Sequence, residues 1–362
     1  MQVTVSQQNL KAAVGLTEKV VAKNTSLPIL NNILIKTEGG MLRFSATNLE
    51  IGITTVIGVK IDEAGEITVP ARIFNDFISN TSDEKITLTT KNNTLFIQTN
   101  HYKTHILGLD PKDFPIIPKI KNNPVAVVLA RDIKNAFVSV LDSVALSDAR
   151  PELAGVYLQA KNNNITVAST DSFRLTEVVI PAKTTENTIV ILPRNTVAEL
   201  IRVCGDMAGD IEIKYADNQI VFCNNDIELV SRVIDGNYPP YKNVIPEKSV
   251  SSVLIKKDDL EKNVRLAGLF SPGNSDIKIA AESEKITIIA KNPDKGEIET
   301  TAAGLVKGAG FTIGLNFHYI LDGLKHIPSS DVILEYTGEG SPFVIKPSGM
   351  TGITYIVMPL RG

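Results

Sequence analysis

TVPARIFNDFI (68–78), ILPRNTVAELI (191–201) and TIGLNFHYILDGL (312–324) each run a short extended lead into a helical pattern, about 120 residues apart. About 60 residues upstream of each stands a second matched opening: VTVSQQNLKAAVGL (3–16), VVLARDIKNAFVSV (127–140) and SVLIKKDDLEKNVRL (252–266). The anchors Leu10, Ile133 and Leu260 keep the same spacing. Self-similarity at a long fixed period marks a repeated structural unit, and it sets the architecture before any local motif does. A chain of 362 residues is too long for one core of ordinary size, so the repeat predicts three domains, 1–121, 122–248 and 249–362.

The opening helix is clearest in the middle repeat. Ile133, Ala136, Phe137, Val140, Leu141 and Val144 recur as one buried helical face. Leu10, Ala13, Val14, Val20 and Val21 sketch that stripe in the first repeat, and Leu260, Val264 and Ala267 in the third. The second helix of each repeat buries Phe74, Phe77 and Ile78, then Val197, Leu200 and Ile201, then Phe317, Ile320, Leu321 and Leu324. Between the helices, ILIKTEGGMLRFSAT (33–47), KITLTTKNNTLFIQT (85–99), GVYLQAKNNNITVAST (155–170), DIEIKYADNQIVFCN (210–224) and DIKIAAESEKITIIA (276–290) each set two strand-like runs around a polar turn. That is the hairpin signature. The predicted class is α+β, with two helices and antiparallel sheets per repeat. PIIPKIKNNP (115–124) and NVIPEKSVSS (243–252) read as linkers.

The N-terminus has no basic segment followed by an apolar run, and no stretch reaches the ~20 apolar residues that span a bilayer. The expected compartment is the cytoplasm, with Cys204 and Cys223 reduced and structural. A net charge of −3 is wrong for ordinary tight nucleic-acid binding, which rests on a basic face. The charge is unevenly spread, however. Over 7–23, 71–79, 131–143, 194–203, 256–267 and 316–326, Lys and Arg exceed Asp and Glu by four, which leaves −7 elsewhere.

Catalytic signatures are missing. No GxxxxGK[ST] loop and no strand-to-helix GxGxxG occurs, and His101, His105, His318 and His326 form no metal-ligand spacing. In STDSFRL (169–175), Asp171 and Arg174 flank a turn, and the simpler reading is that Asp171 staples it, pairing with Arg174. No metal, cofactor or enzyme activity is expected.

Over its full length the chain resembles the bacterial DNA polymerase III β subunit family, the replicative sliding clamps. The landmarks, in order, are SLPILNNILI (26–35), ATNLEIGI (46–53), VPAR (69–72), DFP (113–115), RPELAGVYL (150–158), STDSFRL (169–175), PRNTVAEL (193–200), VIDGNYPPYKNVIP (233–246), GLNFHYILDGL (314–324) and YIVMPLRG (355–362). The resemblance implies a non-enzymatic processivity factor for DNA replication, a head-to-tail homodimeric ring with helices lining a hole and sheets outside. Retention on duplex DNA would then come from enclosure, sequence-independently, so an acidic chain with basic helices is no contradiction.

Carried over by position, the resemblance implies DNA-facing Lys23, Asn24, Arg72, Ser147, Arg150 and Arg194. It implies a dimer interface of Arg72, Ile73, Thr104 and Ile106 against Leu269, Phe270, Asp294, Glu297 and Glu299. It also implies a pocket for short linear motifs of the replicative polymerase, the clamp loader, and repair and translesion polymerases. That pocket comprises Leu153, Thr170, Ser172, Phe173, Arg174, Leu175, Pro239, Asn243, Val244, Asn316, Tyr319, Val357, Met358, Pro359 and Leu360. Ser172-Phe173 stands where Gly followed by His or Tyr is usual, and Asn243 where Arg is common. A clamp paralogue serving as a specialised binding hub or resistance copy is the alternative.

Overall fold

The structure, a computed structural model, describes residues 1–22, 26–147 and 149–360. Six α-helices stand among the described residues: α1 (Gln7–Glu18), α2 (Ala71–Asn80), α3 (Ala130–Leu141), α4 (Arg194–Asp206), α5 (Lys257–Gly268) and α6 (Phe317–Lys325). Ser6 caps α1 by accepting from the Asn9 N–H, and Asn316 caps α6 by accepting from the His318 N–H. The anchors Leu10, Ile133 and Leu260 are each fully buried. Asn92-Asn93, Asn162-Asn163 and Asp217-Asn218 are consecutive positive-φ pairs, the two-residue turns that match the twist of hairpin strands.

The chain resolves into two compact units, Met1–Arg131 with Arg202–Val233, and Asp132–Ile201 with Ile234–Gly362. In the first, strands Lys60–Glu63, Gln2–Ser6, Lys85–Lys91, Thr94–Gln98 and Lys103–Leu107 form a five-stranded sheet in that order. Also in the first unit, eight strands run side by side: Ala126–Leu129, Asp210–Ala216, Gln219–Cys223, Ile227–Arg232, Ile51–Gly58, Met41–Thr47, Asn32–Glu38 and Glu66–Pro70. The expected linker 115–124 is a strap on this layer, with Ile117 and Ile120 packed against Val221, Cys223 and Val230. Cys204 and Cys223 are free and buried.

In the second unit a nine-stranded sheet takes the order Thr188–Pro193, Gly155–Lys161, Asn164–Thr170, Arg174–Pro181, Ile353–Val357, Phe343–Pro347, Asp331–Tyr336, Ser251–Lys256 and Leu305–Gly308. A four-stranded sheet orders Gly296–Ala303, Lys285–Asn292, Asp276–Glu282 and Phe311–Asn316. One core joins α5 and α6 to both sheets through Leu260, Val264, Ile320, Leu324, Phe343 and Val357. Burying side chains of this size supplies roughly 1.5–3 kcal/mol each.

Candidate functional site

The turn joining Asn164–Thr170 to Arg174–Pro181 is tied by its own side chains. Asp171 Oδ1 accepts from the N–H groups of Phe173 and Arg174, both at 3.0 Å. Thr170 Oγ1 accepts from the Ser172 N–H at 3.1 Å and donates to the Arg174 carbonyl at 2.7 Å. Such local bonds hold Ser172 at φ +77°, a conformation that costs a non-glycine residue energy. The expected staple is present, with Arg174 Nε 3.0 Å from Asp171 Oδ2. The other arm of the guanidinium pairs with Asp322 of α6, and its plane lies over Tyr319, 4.7 Å from the ring centroid. Burial works against the Arg174 charge, but Tyr355, Asp322 and Asp171 outweigh it and lift the pKa above the ordinary value.

Beside this network opens a cleft of about 440 Å³, walled by Arg150, Leu153, Thr170, Ser172, Arg174, Leu175, Pro239, Pro240, Tyr241, Asn243, Val244, Ile356 and Met358. Leu153, Leu175 and Ile356 are its buried apolar floor. Val244, 40% exposed, stands at the rim. The wall at 239–244 is stiff. Tyr241 packs ring to ring on Tyr157 at 5.5 Å and Tyr238 at 6.1 Å, and its hydroxyl donates to Glu177 Oε2 at 2.5 Å. Burial, then Glu177, push the Tyr241 phenol well above its usual range, so it stays a donor. A floor of branched apolar side chains with few polar groups suits an apolar peptide side chain better than a small polar substrate.

Several of the expected pocket residues lie outside this lining. Val357 is fully buried in the α5/α6 core and does not line the cleft. Successive strand residues point to opposite faces, so Ile356 and Met358 line it instead. Phe173, 61% exposed, and Asn316, which caps α6, are not among the lining residues. Tyr319 is not in the lining and packs against the Arg174 guanidinium. Pro359 and Leu360 are half-buried outside the cleft lining, and the Leu360 N–H donates to the Gly314 carbonyl at 3.0 Å. Arg150, expected at DNA, lines the cleft, as do Pro240 and Tyr241 of the landmark segment 233–246, which were not among the expected pocket residues.

Of the other DNA-facing expectations, Lys23 and Asn24 lie outside the described residues. Ser147 is exposed, Arg72 is 91% exposed with Asp76 at 3.9 Å, and Arg194 is half-buried at the start of α4. The interface expectations fall on two sheet edges and two helix ends. Thr104 and Ile106 sit on Lys103–Leu107, and Glu297 and Glu299 on Gly296–Ala303, each the last strand of its sheet. Ile73 on α2 and Leu269 after α5 are 56% and 63% exposed, Phe270 is half-buried, and Asp294 is exposed. Ile106 itself faces inward at 6%, and its neighbour Leu107 is the outward apolar residue at 71%. Among the described residues no cluster of three His, Cys, Asp or Glu side chains is placed to hold a metal.

Threefold repetition of paired helices on antiparallel sheets, with a built apolar cleft, defines a DNA-clamp protein. The models described as DNA polymerase III beta subunit N-terminal, central and C-terminal domain match residues 1–118, 128–240 and 242–361. The chain therefore belongs to the DNA polymerase III beta subunit family, and it is a sliding clamp, a processivity factor with no catalytic role. It is 29% identical over 374 residues to the beta sliding clamp of Staphylococcus aureus, covering 100% of this chain and 99% of that one. The DNA polymerase III beta subunit of Thermotoga maritima superposes with a TM-score of 0.92 at 25% identity, covering 100% of this chain and 99% of that chain. The Pseudomonas aeruginosa sliding clamp bound to griselimycin gives 0.95 at 24% identity over the whole of both chains.

Proposed function

We propose that two copies of this chain close into a ring of six clamp domains, 1–121, 122–248 and 249–362 from each, around duplex DNA in the cytoplasm. The cleft between Arg150 and Met358 takes short apolar motifs of the replicative polymerase, the clamp loader, and repair and translesion polymerases in turn. Arg72, Ser147 and Arg194, with Lys23 and Asn24, approach the duplex through weak contacts, while Arg150 serves the cleft. Enclosure holds the DNA, so affinity for phosphate stays low and sliding stays free.

The observation that carries the docking reading is the apolar floor of Leu153, Leu175 and Ile356 beside the Asp171–Arg174–Asp322 network. The test is binding of a fluorescent Gln-Leu-x-Leu-Phe peptide to the intact chain and to one truncated after Val357. Micromolar binding that is lost without Met358 is the expected result. No binding to the intact protein would overturn the docking role.

A further inference from the structure

The turn that builds the cleft of the second unit has a counterpart in the first. Between Met41–Thr47 and Ile51–Gly58, Thr47 Oγ1 accepts from the Leu49 N–H at 3.0 Å and donates to the Ile51 carbonyl at 2.9 Å. Asn48 Oδ1 accepts from the N–H groups of Glu50 and Ile51 at 3.0 and 2.8 Å. Leu49 is held at φ +75°, as Ser172 is at +77°. Bond for bond, this is the arrangement that Thr170 and Asp171 make around Ser172.

Strand pairing carries the match beyond the turn. Gly52 lies opposite Thr47 on one side and Val230 on the other, as Leu175 lies opposite Thr170 and Ile356. The Arg232 N–H donates to the Glu50 carbonyl at 3.1 Å, where the Met358 N–H donates to the Phe173 carbonyl at 2.8 Å. Asp113-Phe114-Pro115 stands in the first unit where Asn237-Tyr238-Pro239 stands in the second. These elements enclose a cleft of about 270 Å³ in the first unit. Thr47, Gly52, Pro115, Val230 and Arg232 line it as Thr170, Leu175, Pro239, Ile356 and Met358 line the larger one.

The differences define what the smaller cleft takes. A Cβ on Gly52 would come 2.9 Å from the Ile117 side chain, so Ile117 occupies room that belongs to the Leu175 side chain in the second unit. The rim is apolar and open: Ile116 is 93% exposed and Leu49 52%. A leucine at positive φ costs energy that glycine or asparagine would avoid, and in the free chain its exposed side chain returns little of it. Two charges also enter the rim, Arg232 at the place of Met358 and Glu50 at the place of Phe173. Among the described residues neither is held in an ion pair. A guanidinium so placed can receive a carboxylate through two parallel N–H bonds.

We propose that this first-unit cleft is a second docking site, whose occupant is a short partner segment with a branched aliphatic residue beside an Asp or Glu. The aliphatic side chain packs on Val230 and Ile117 next to Leu49 and Ile116, and the carboxylate pairs with Arg232. This inference rests on the docking reading of the second-unit cleft. Arg232 in place of Met358 separates the two preferences, apolar motifs in the larger cleft and acidic ones in the smaller.

The test is fluorescence titration of the full chain with a labelled Glu-Leu-x-Leu-Glu peptide while unlabelled Gln-Leu-x-Leu-Phe saturates the larger cleft. Saturable binding about tenfold tighter than that of Lys-Leu-x-Leu-Lys is the expected result. Arg232→Glu and Ile116→Asp, both at exposed positions, should each weaken it about tenfold or more and leave Gln-Leu-x-Leu-Phe binding unchanged. Absence of saturable binding, equal binding of the basic peptide, or variants without effect would overturn the second site and leave the larger cleft's role standing. Sedimentation that shifts on Ile116→Asp would make a second copy of the chain the occupant and overturn the proposal as well. Acidic-peptide binding that persists, with Gln-Leu-x-Leu-Phe failing to bind at all, would remove the larger cleft's role and support this one.

Discussion

Arg174 and Asp322, 148 residues apart in the chain, form an ion pair at the rim of the cleft. Asp171 also pairs with the guanidinium and the Tyr319 ring lies 4.7 Å from it, so the side chain is held by its own neighbours. Preorganisation of this kind adds affinity by removing an ordering cost from binding.

Asp322→Asn should therefore weaken peptide binding about 3- to 10-fold by loosening Arg174. Because Asp322 is 40% exposed, its loss should cost no more than about 1 kcal/mol of stability. Fluorescence titration alongside chemical denaturation separates the two effects. Unchanged affinity would show that the pair serves the fold alone.

Val357 and Met358 are neighbours with opposite duties. Val357→Ala should destabilise the second unit by about 2 kcal/mol through a core cavity, with peptide affinity retained at a temperature where the protein is folded. Met358→Ala should reverse the pattern, with near-normal stability and peptide affinity reduced about tenfold. Thermal melts and peptide titration of both variants check this.

Asp142 joins the end of α3 to the end of α6. Burial alone would raise its carboxyl pKa, but His326 Nε2 at 2.7 Å and Lys325 Nζ at 3.0 Å reverse that and bring it below the ordinary 3.8. A carboxyl depressed on folding contributes stability that is complete above its unfolded pKa and is lost as pH falls through the folded value. Unfolding free energies of wild type and Asp142→Asn should thus differ at neutral pH and converge below about pH 3.8. A constant difference down to pH 2 would exclude this linkage.

Gly323 lets α6 lie against Tyr355. A Cβ there would come within 2.4 Å of the Tyr355 ring, which is rigidly held because its hydroxyl donates to the Tyr319 carbonyl at 2.7 Å. Gly323→Ala should cost about 1–3 kcal/mol despite alanine's better helix propensity. A stabilised variant in urea denaturation would contradict the packing described.

Local periodicity made much of this legible in advance. Leu10, Ile133 and Leu260 fall on buried faces because a helix of 3.6 residues per turn leaves its signature in a short window. The Asn-Asn turns announced the hairpins for the same reason. The terminal Tyr355-Ile356-Val357-Met358 was not legible. The run is apolar at every position, since one face meets the core and the other the cleft, and an unbroken apolar run carries no phase. Ile106 and Leu107 posed the same ambiguity, and pairing of Ile106 with Leu95 resolved it.

By itself, then, the sequence determined the repeat, the helices, the hairpins and the family, all of which are written within windows of a few tens of residues or in the comparison of such windows. Tertiary structure alone decided which face each strand buries, that Arg150 lines the cleft, and that Arg174 is paired with a carboxylate 148 residues away. The reason is physical: strand phase has a period of two and depends on a neighbour that is distant in the chain, so no local pattern can encode it.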